Sequence, residues 1–231
     1  MAPTGLICVS IAAEDAAGII AAVMPVVQLV DVVEIRLDGM IDPRIEQCVT
    51  NIPRPVLVTN RPTWEGGQYA RSEQDRIDLL CQAIQSGAQY VDIELRTDVD
   101  LREQVQKVAR KHGTRVIMSS HDFQGTPSFA VLKETLRQMT ASGADVGKIV
   151  TTAMNAEEAV RILSLQQEAL ASHFPLSAFA MGAAGKISRL ATLYLGGFMS
   201  YAAITAQQAT APGQLSVHDL HTLINLLEDS A

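Results

Sequence analysis

The residue best suited to covalent chemistry in this chain is Lys148, set within the apolar run Val146-Gly147-Lys148-Ile149-Val150. Of the five lysines, Lys107, Lys111 and Lys133 fall on the polar faces of helical segments, and Lys186 falls in a glycine-rich stretch. A lysine on a buried strand loses hydration, and desolvation favours the neutral amine that attacks carbonyl carbons. A structural ion pair with Glu34 or Glu94 suits the same position equally well. His121 closes the preceding apolar run, after Ser119 and Ser120. A histidine by itself is more often a packing or surface residue. Neighbouring parallel strands lie about 4.8 Å apart, however, so His121 and Lys148 can meet over one substrate.

Further charge gathers where other apolar runs end. Glu34-Ile35-Arg36-Leu37-Asp38 alternates, and the two-residue period of a strand sends Glu34, Arg36 and Asp38 to one face. Asp92 and Glu94 repeat that spacing. Arg61 leads into Trp64-Glu65-Gly66-Gly67, where glycines let the backbone approach a ligand closely. In the last third, Gly182 and Gly185 offer backbone N–H groups, Ser188 suits a helix cap, and Arg189 suits bidentate pairing with a carboxylate or a phosphate. A mobile glycine loop followed by an ordinary cap is the plainer reading of that segment.

The elements that must carry these groups follow a simple alternation. Short β-branched runs at 6–11, 32–37, 56–61, 90–95, 115–120, 146–150, 176–181 and 198–204 alternate with helical periodicity at 14–29, 73–86, 101–112, 127–142 and 156–171. Eight βα repeats in 231 residues predict an α/β chain folded as one (β/α)₈ TIM barrel spanning 1–231. A doubly wound open sheet is the alternative. The first βα turn, Ser10-Ile11-Ala12-Ala13-Glu14, lacks the glycine fingerprint of dinucleotide folds. In a barrel, chemistry sits at the C-terminal ends of the strands, which is where the unusual residues fall.

Bulk composition removes several functions. A net charge of -7 without basic runs argues against nucleic acid and anionic membrane surfaces. No apolar run approaches the roughly 20 residues of a membrane span, and Met1 to Gly5 carries no basic leader region. The expectation is a cytoplasmic protein. Cys8, Cys48 and Cys81 are odd in number and widely spaced, as free buried thiols are. The histidines show no metal-ligand spacing, so no metal is expected.

A desolvated amine, an imidazole, a carboxylate and an arginine at one mouth suit imine formation and proton transfer beside a carbonyl. Aldol cleavage, isomerisation and β-elimination all use such a set. The choice narrows through a resemblance carried by Glu34-Ile35-Arg36-Leu37-Asp38, Thr59-x-Arg61-x-x-x-Glu65-Gly66-Gly67, Ser119-Ser120-His121-Asp122-Phe123, Lys148-Ile149, Met181-Gly182 through Ser188-Arg189, and Ala211-Pro212-Gly213-Gln214. With these six segments in order, nearly the whole chain resembles the type I 3-dehydroquinate dehydratases, Schiff-base enzymes of the shikimate pathway.

The resemblance implies that Lys148 condenses with the C3 ketone of 3-dehydroquinate. His121 would remove a C2 proton and then protonate the departing C1 hydroxyl, with Glu65 orienting it. Arg189 and Gln214 would hold the substrate carboxylate, Glu34, Arg36 and Arg61 the ring hydroxyls, and Ser10 would also touch substrate. No cofactor is implied, and a homodimer is. Thr210 stands where the family usually has serine. The connection from Arg189 to Thr210, with Tyr201 in it, looks slightly longer than in some members and is expected to cover the mouth. A class I aldolase-like barrel acting on a sugar phosphate, and a catalytically silent metabolite-binding or assembly barrel, are the rival functions.

Overall fold

A computed structural model describes residues 4–228; positions 1–3 and 229–231 of the expected domain lie outside the described residues. Eight strands form in chain order: β1 (Leu6–Ile11), β2 (Val32–Arg36), β3 (Val56–Thr59), β4 (Tyr90–Glu94), β5 (Arg115–His121), β6 (Val146–Thr152), β7 (Leu176–Met181) and β8 (Met199–Ala202). Paired neighbours run parallel, in the order β7-β6-β5-β4-β3-β2-β1-β8. The two ends then meet, because Phe198 N–H donates to the Leu176 carbonyl at 2.8 Å and Met199 N–H to the Ser177 hydroxyl at 3.1 Å. The sheet is therefore a barrel, and the open-sheet alternative falls.

The helices connecting the strands are α1 (Ala16–Val23), α2 (Ile45–Asn51), α3 (Glu73–Gln85), α4 (Val99–His112), α5 (Phe129–Ala141), α6 (Ala156–Ala171) and α7 (Lys186–Tyr194), with α8 (Val217–Glu228) after the last strand. Their starts follow local chemistry. Asp15, Ser72, Asp98 and Asn155 each accept a backbone N–H of the first turn, satisfying donors that the helix leaves free.

Alternation along the strands divides the core in two. Outward residues such as Val9, Ile35, Val58, Val91, Met118 and Ile149 pack beneath the helices. Inward residues including Cys8, Val32, Leu57, Ile117, Val146 and Met199 plug the barrel. Each such side chain contributes about 1.5–3 kcal/mol on leaving water, so the plug can support polar groups stacked above it. Register then brings those groups to one level, with Thr59 beside Asp92, Glu94 beside Ser119, and Ser119 beside Lys148.

Some boundaries differ from expectation for identifiable reasons. The helical stretch 14–29 breaks into α1 and a 3₁₀ segment at Met24–Leu29, where Pro25 cannot donate to a helical ladder. β3 stops at Thr59, before Pro62, so Arg61 sits on the departing chain. β5 runs on to His121, placing the imidazole on the strand itself. Ser188 is not a cap: it lies inside α7, where its hydroxyl accepts Ala180 N–H and donates to the Gly185 carbonyl. Tyr201 belongs to β8 rather than to a covering loop. The connection from Arg189 to Thr210 is mostly the end of α7 and β8, and it meets the cavity through Arg189, Tyr201 and Thr210.

Candidate active site

The C-terminal mouth of the barrel encloses a cavity bordered by Lys148, His121, Glu65, Glu34, Arg36, Arg61, Arg189, Thr210 and Gln214. Nine of the ten expected site residues thus border one cavity. The tenth, Ser10, lies just behind it, 1 % exposed, where its hydroxyl accepts that of Thr210 at 3.0 Å.

At the floor, Lys148 Nζ lies 3.1 Å from Asp92 Oδ2, 3.5 Å from Glu34 Oε1 and 3.9 Å from the centre of the Tyr201 ring. The ion pair expected of this lysine therefore exists, with Glu34 and Asp92. Glu94 is not its partner, because Arg61 and Arg76 hold both of that carboxylate's oxygens. Burial alone would raise the Glu34 and Asp92 carboxyls. Lys148 and Arg36 hold Glu34 below its ordinary value, and Arg61 and Lys148 hold Asp92 well below the usual carboxylate range. Two ionised carboxylates thus flank one nitrogen in a buried site, where fixed charges act more strongly than they do in water.

His121 stands above, on the strand beside β6. Its Nδ1 is 3.1 Å from Glu65 Oε1, and the same oxygen accepts His121 N–H at 2.9 Å. Glu65 thereby fixes ring orientation and leaves Nε2 for the cavity. The side chain keeps 12 % of its surface open, enough for a substrate to reach it. Burial, aided by the Arg61 and Lys148 charges, drives the imidazole well below its ordinary pKa. It is therefore a neutral base at pH 7. Burial also pushes Glu65 up to about 7, against the opposing pull of Arg61.

One carboxylate organises the chain around Glu65. Asp38 accepts Arg36 Nε and Nη2 at 2.9 and 2.7 Å, and also Arg61 N–H and Gln68 N–H at 3.2 and 3.0 Å. One side chain so aims Arg36 and straps the loop that carries Glu65. The loop turns at Gly66, whose φ of 76° favours glycine. A side chain there would also strike the Phe123 ring, which lies nearly parallel to His121, 6.2 Å between centres.

Arg189 is different in kind. It is 2 % exposed, and its polar contacts are the Tyr201 and Pro212 carbonyls at 3.5 and 3.2 Å, while Nε has no partner. Burial lowers its guanidinium to about 10. A buried cation held by two long carbonyl contacts is suited to pairing with an anion. Beside it, Gln214 Oε1 accepts Thr210 N–H at 2.8 Å and Gln214 Nε2 donates to the Thr210 hydroxyl at 3.2 Å. Threonine thus supplies the hydroxyl that serine would.

Sequence reasoning placed Asp92 on the inward face but gave it no role, although its two-residue spacing from Glu94 was the available signal. Phe123, Phe179 and Met181 also border the cavity and were missed as walls, since apolar residues at strand ends look like ordinary core.

Fold and site together define a (β/α)₈ barrel with a site suited to imine chemistry, with a buried lysine at its floor, a neutral histidine above and a buried arginine at the side. The model of the type I 3-dehydroquinase family matches residues 7–231, and the chain belongs to that family. It is 40% identical over 190 residues to the 3-dehydroquinate dehydratase of Desulfotalea psychrophila, covering 82% of this chain and 84% of that protein. It is 35% identical over 207 residues to that of Methanosarcina barkeri, covering 86% of each. Among solved structures, the type I 3-dehydroquinate dehydratase of Clostridium difficile with covalently modified comenic acid superposes with a TM-score of 0.89 at 26% identity, covering 99% of this chain and 94% of that one.

Proposed function

We propose that this barrel dehydrates 3-dehydroquinate to 3-dehydroshikimate, a lyase step of the shikimate pathway toward aromatic amino acids, using its residues as follows. The Lys148 amine attacks the C3 ketone, and loss of water leaves an iminium between Asp92 and Glu34. That iminium draws electrons from C2, so His121 Nε2 can remove a C2 proton. The C1 hydroxyl then departs with that proton as water, and hydrolysis of the conjugated iminium frees the enone and the amine. Atoms balance: one water leaves overall, and His121 and Lys148 return to their starting states.

Glu65 keeps the Nδ1 proton in place while Nε2 works. Arg189, with Gln214, Thr210 and Ser10 behind it, takes the substrate carboxylate. Glu34 and Arg36 reach the ring hydroxyls, joined by Arg61 from a guanidinium already anchored on Asp92, Glu94 and Ser119. The observation carrying this reading is the pairing of one buried amine, flanked by two carboxylates, with one imidazole whose second nitrogen alone is open. The whole chain acts as one catalytic domain without an added cofactor, in the cytoplasm and as a homodimer. Sedimentation showing only monomer at micromolar concentration would remove the dimer from this reading.

The test separates bond formation from elimination. His121→Ala should still give a borohydride-reduced adduct with 3-dehydroquinate while product formation stops. Unchanged turnover would overturn the assignment of His121.

A further inference from the structure

Arg76 projects from α3, outside the barrel, yet it is 0% exposed. All five of its N–H donors are used. Nε reaches Glu73 at 3.2 Å, Nη1 the Asn60 carbonyl at 3.2 Å and Glu94 Oε2 at 2.6 Å, and Nη2 Glu73 Oε2 and Thr97 Oγ1, each at 2.9 Å. Apolar side chains usually stabilise such a helix-to-sheet contact at least as well as a buried ion pair does. A fully engaged arginine here therefore points to a purpose other than fold stability.

Its contacts lead to the floor of the site. Glu94 Oε1 pairs with Arg61 Nη1 at 2.5 Å, Arg61 Nη2 with Asp92 Oδ1 at 2.9 Å, and Asp92 Oδ2 with Lys148 Nζ at 3.1 Å. With Glu34 included and the exposed Glu73 set aside, three buried cations (Arg76, Arg61, Lys148) face three buried carboxylates, and their charges balance. The Asn60 carbonyl that Arg76 holds also precedes Arg61 in sequence. Arg76 so fixes that arginine from both its backbone and its carboxylate partner.

We propose that Arg76 is a positioning residue for imine formation: by holding Glu94 it keeps Arg61 shared between Glu94 and Asp92, leaving the second Asp92 oxygen for Lys148. The proposal rests on the role given to Lys148 above. Lys148 is faced by Asp92 from β4, Glu34 from β2 and the Tyr201 ring from β8, and at longer range by Cys8 on β1 and His121 on β5. Burial pushes Cys8 and Tyr201 well above their ordinary values and His121 well below its own, so all three are neutral near pH 7. Glu94 is faced by Arg61, Arg76, Asp92 and Glu65. Burial raises the Glu94 carboxyl, and Arg61 and Arg76 pull against that rise.

Charge balance gives the sign. Arg76→Gln leaves one uncompensated negative charge, which favours the protonated amine and delays attack to higher pH. Glu94→Gln leaves one excess positive charge and has the opposite effect. The double variant is neutral again. The measurement is the rate of borohydride-trapped adduct at Lys148, with 3-dehydroquinate and the full chain, as a function of pH. The midpoint should rise by about one unit in Arg76→Gln, fall by a similar amount in Glu94→Gln, and return to within about 0.3 unit of the parent in the double variant.

An unshifted midpoint in Arg76→Gln, or a double variant shifted as far as Arg76→Gln, overturns the role of Arg76. Should Arg76→Gln fail to fold, Glu94→Gln decides: a downward shift supports the link and no shift overturns it. Absence of any adduct in the parent chain overturns the imine reading, and the Arg76 link with it. A parent adduct with unshifted variants overturns only the link.

Discussion

Glu65 should place an acid limb on turnover near neutrality. Burial lifts its carboxyl to about 7, and only the ionised form accepts the Nδ1–H that leaves His121 Nε2 free as a base. A protonated Glu65 would donate to Nδ1 and turn the ring to the unproductive tautomer. A pKa of about 7 leaves about half the enzyme competent at pH 7 and about one tenth at pH 6, so kcat should fall about fivefold over that unit and about tenfold over the next. Measuring kcat at saturating 3-dehydroquinate restricts the reading to steps after the proposed iminium at Lys148 has formed. His121 adds no limb between pH 6 and 8, since burial drives it well below its ordinary value.

Glu65→Gln supplies the control. The amide oxygen can still accept both His121 N–H groups, but a neutral acceptor is weaker by about 1 kcal/mol, or five- to tenfold in rate. The variant should be slower and nearly flat from pH 6 to 8. The assay is the ultraviolet absorbance of the conjugated enone across that range. A limb near pH 7 that persists in Glu65→Gln would refute the assignment, as would a parent limb at the ordinary carboxylate value.

Three further outcomes follow from the same geometry. Arg189→Met should raise KM by about 30-fold or more, equivalent to about 2 kcal/mol. Because the arginine is buried with only long carbonyl contacts, calorimetry should show the variant unfolding at the same or a higher temperature; a clear loss of stability would contradict its proposed role as an anion receptor. Thr210→Ser should change KM by less than about threefold and Thr210→Val should raise it severalfold, since the hydroxyl links Ser10 and Gln214; equal effects would show that the methyl matters instead. Gly66→Ala should lose about 1 kcal/mol or more in denaturant unfolding and should lower kcat, because the left-handed turn and the Phe123 ring both resist a side chain; parent-like kcat would separate this turn from Glu65 placement.

The barrel was legible because alternation and helical period are local, and both survive in a chain where inward and outward residues differ so plainly. Lys148 stood out for the same reason, as a charge in an apolar strand. Its partners were less legible, since a strand pattern gives the face of Asp92 and Glu94 but not which cation claims each. Arg76 takes one oxygen of Glu94, and it sits in Glu73-Gln74-Asp75-Arg76, which looks like an ordinary polar first turn with an i,i+3 pair. Its place on the face of Leu80 and Ile84 was the one sign of burial. The 3₁₀ segment after α1 was signalled by Pro25. The burial of Ser188 was not signalled, because a serine after glycines has the composition of a cap whether or not the helix starts there.

The most direct test is to reduce the enzyme with borohydride in the presence of 3-dehydroquinate and to map the modified peptide by mass spectrometry. The expected result is one reduced ligand adduct, located at Lys148 and lost in Lys148→Met together with turnover. An adduct at Lys107, Lys111, Lys133 or Lys186, or undiminished turnover with no adduct at all, would contradict the imine at the floor of the barrel.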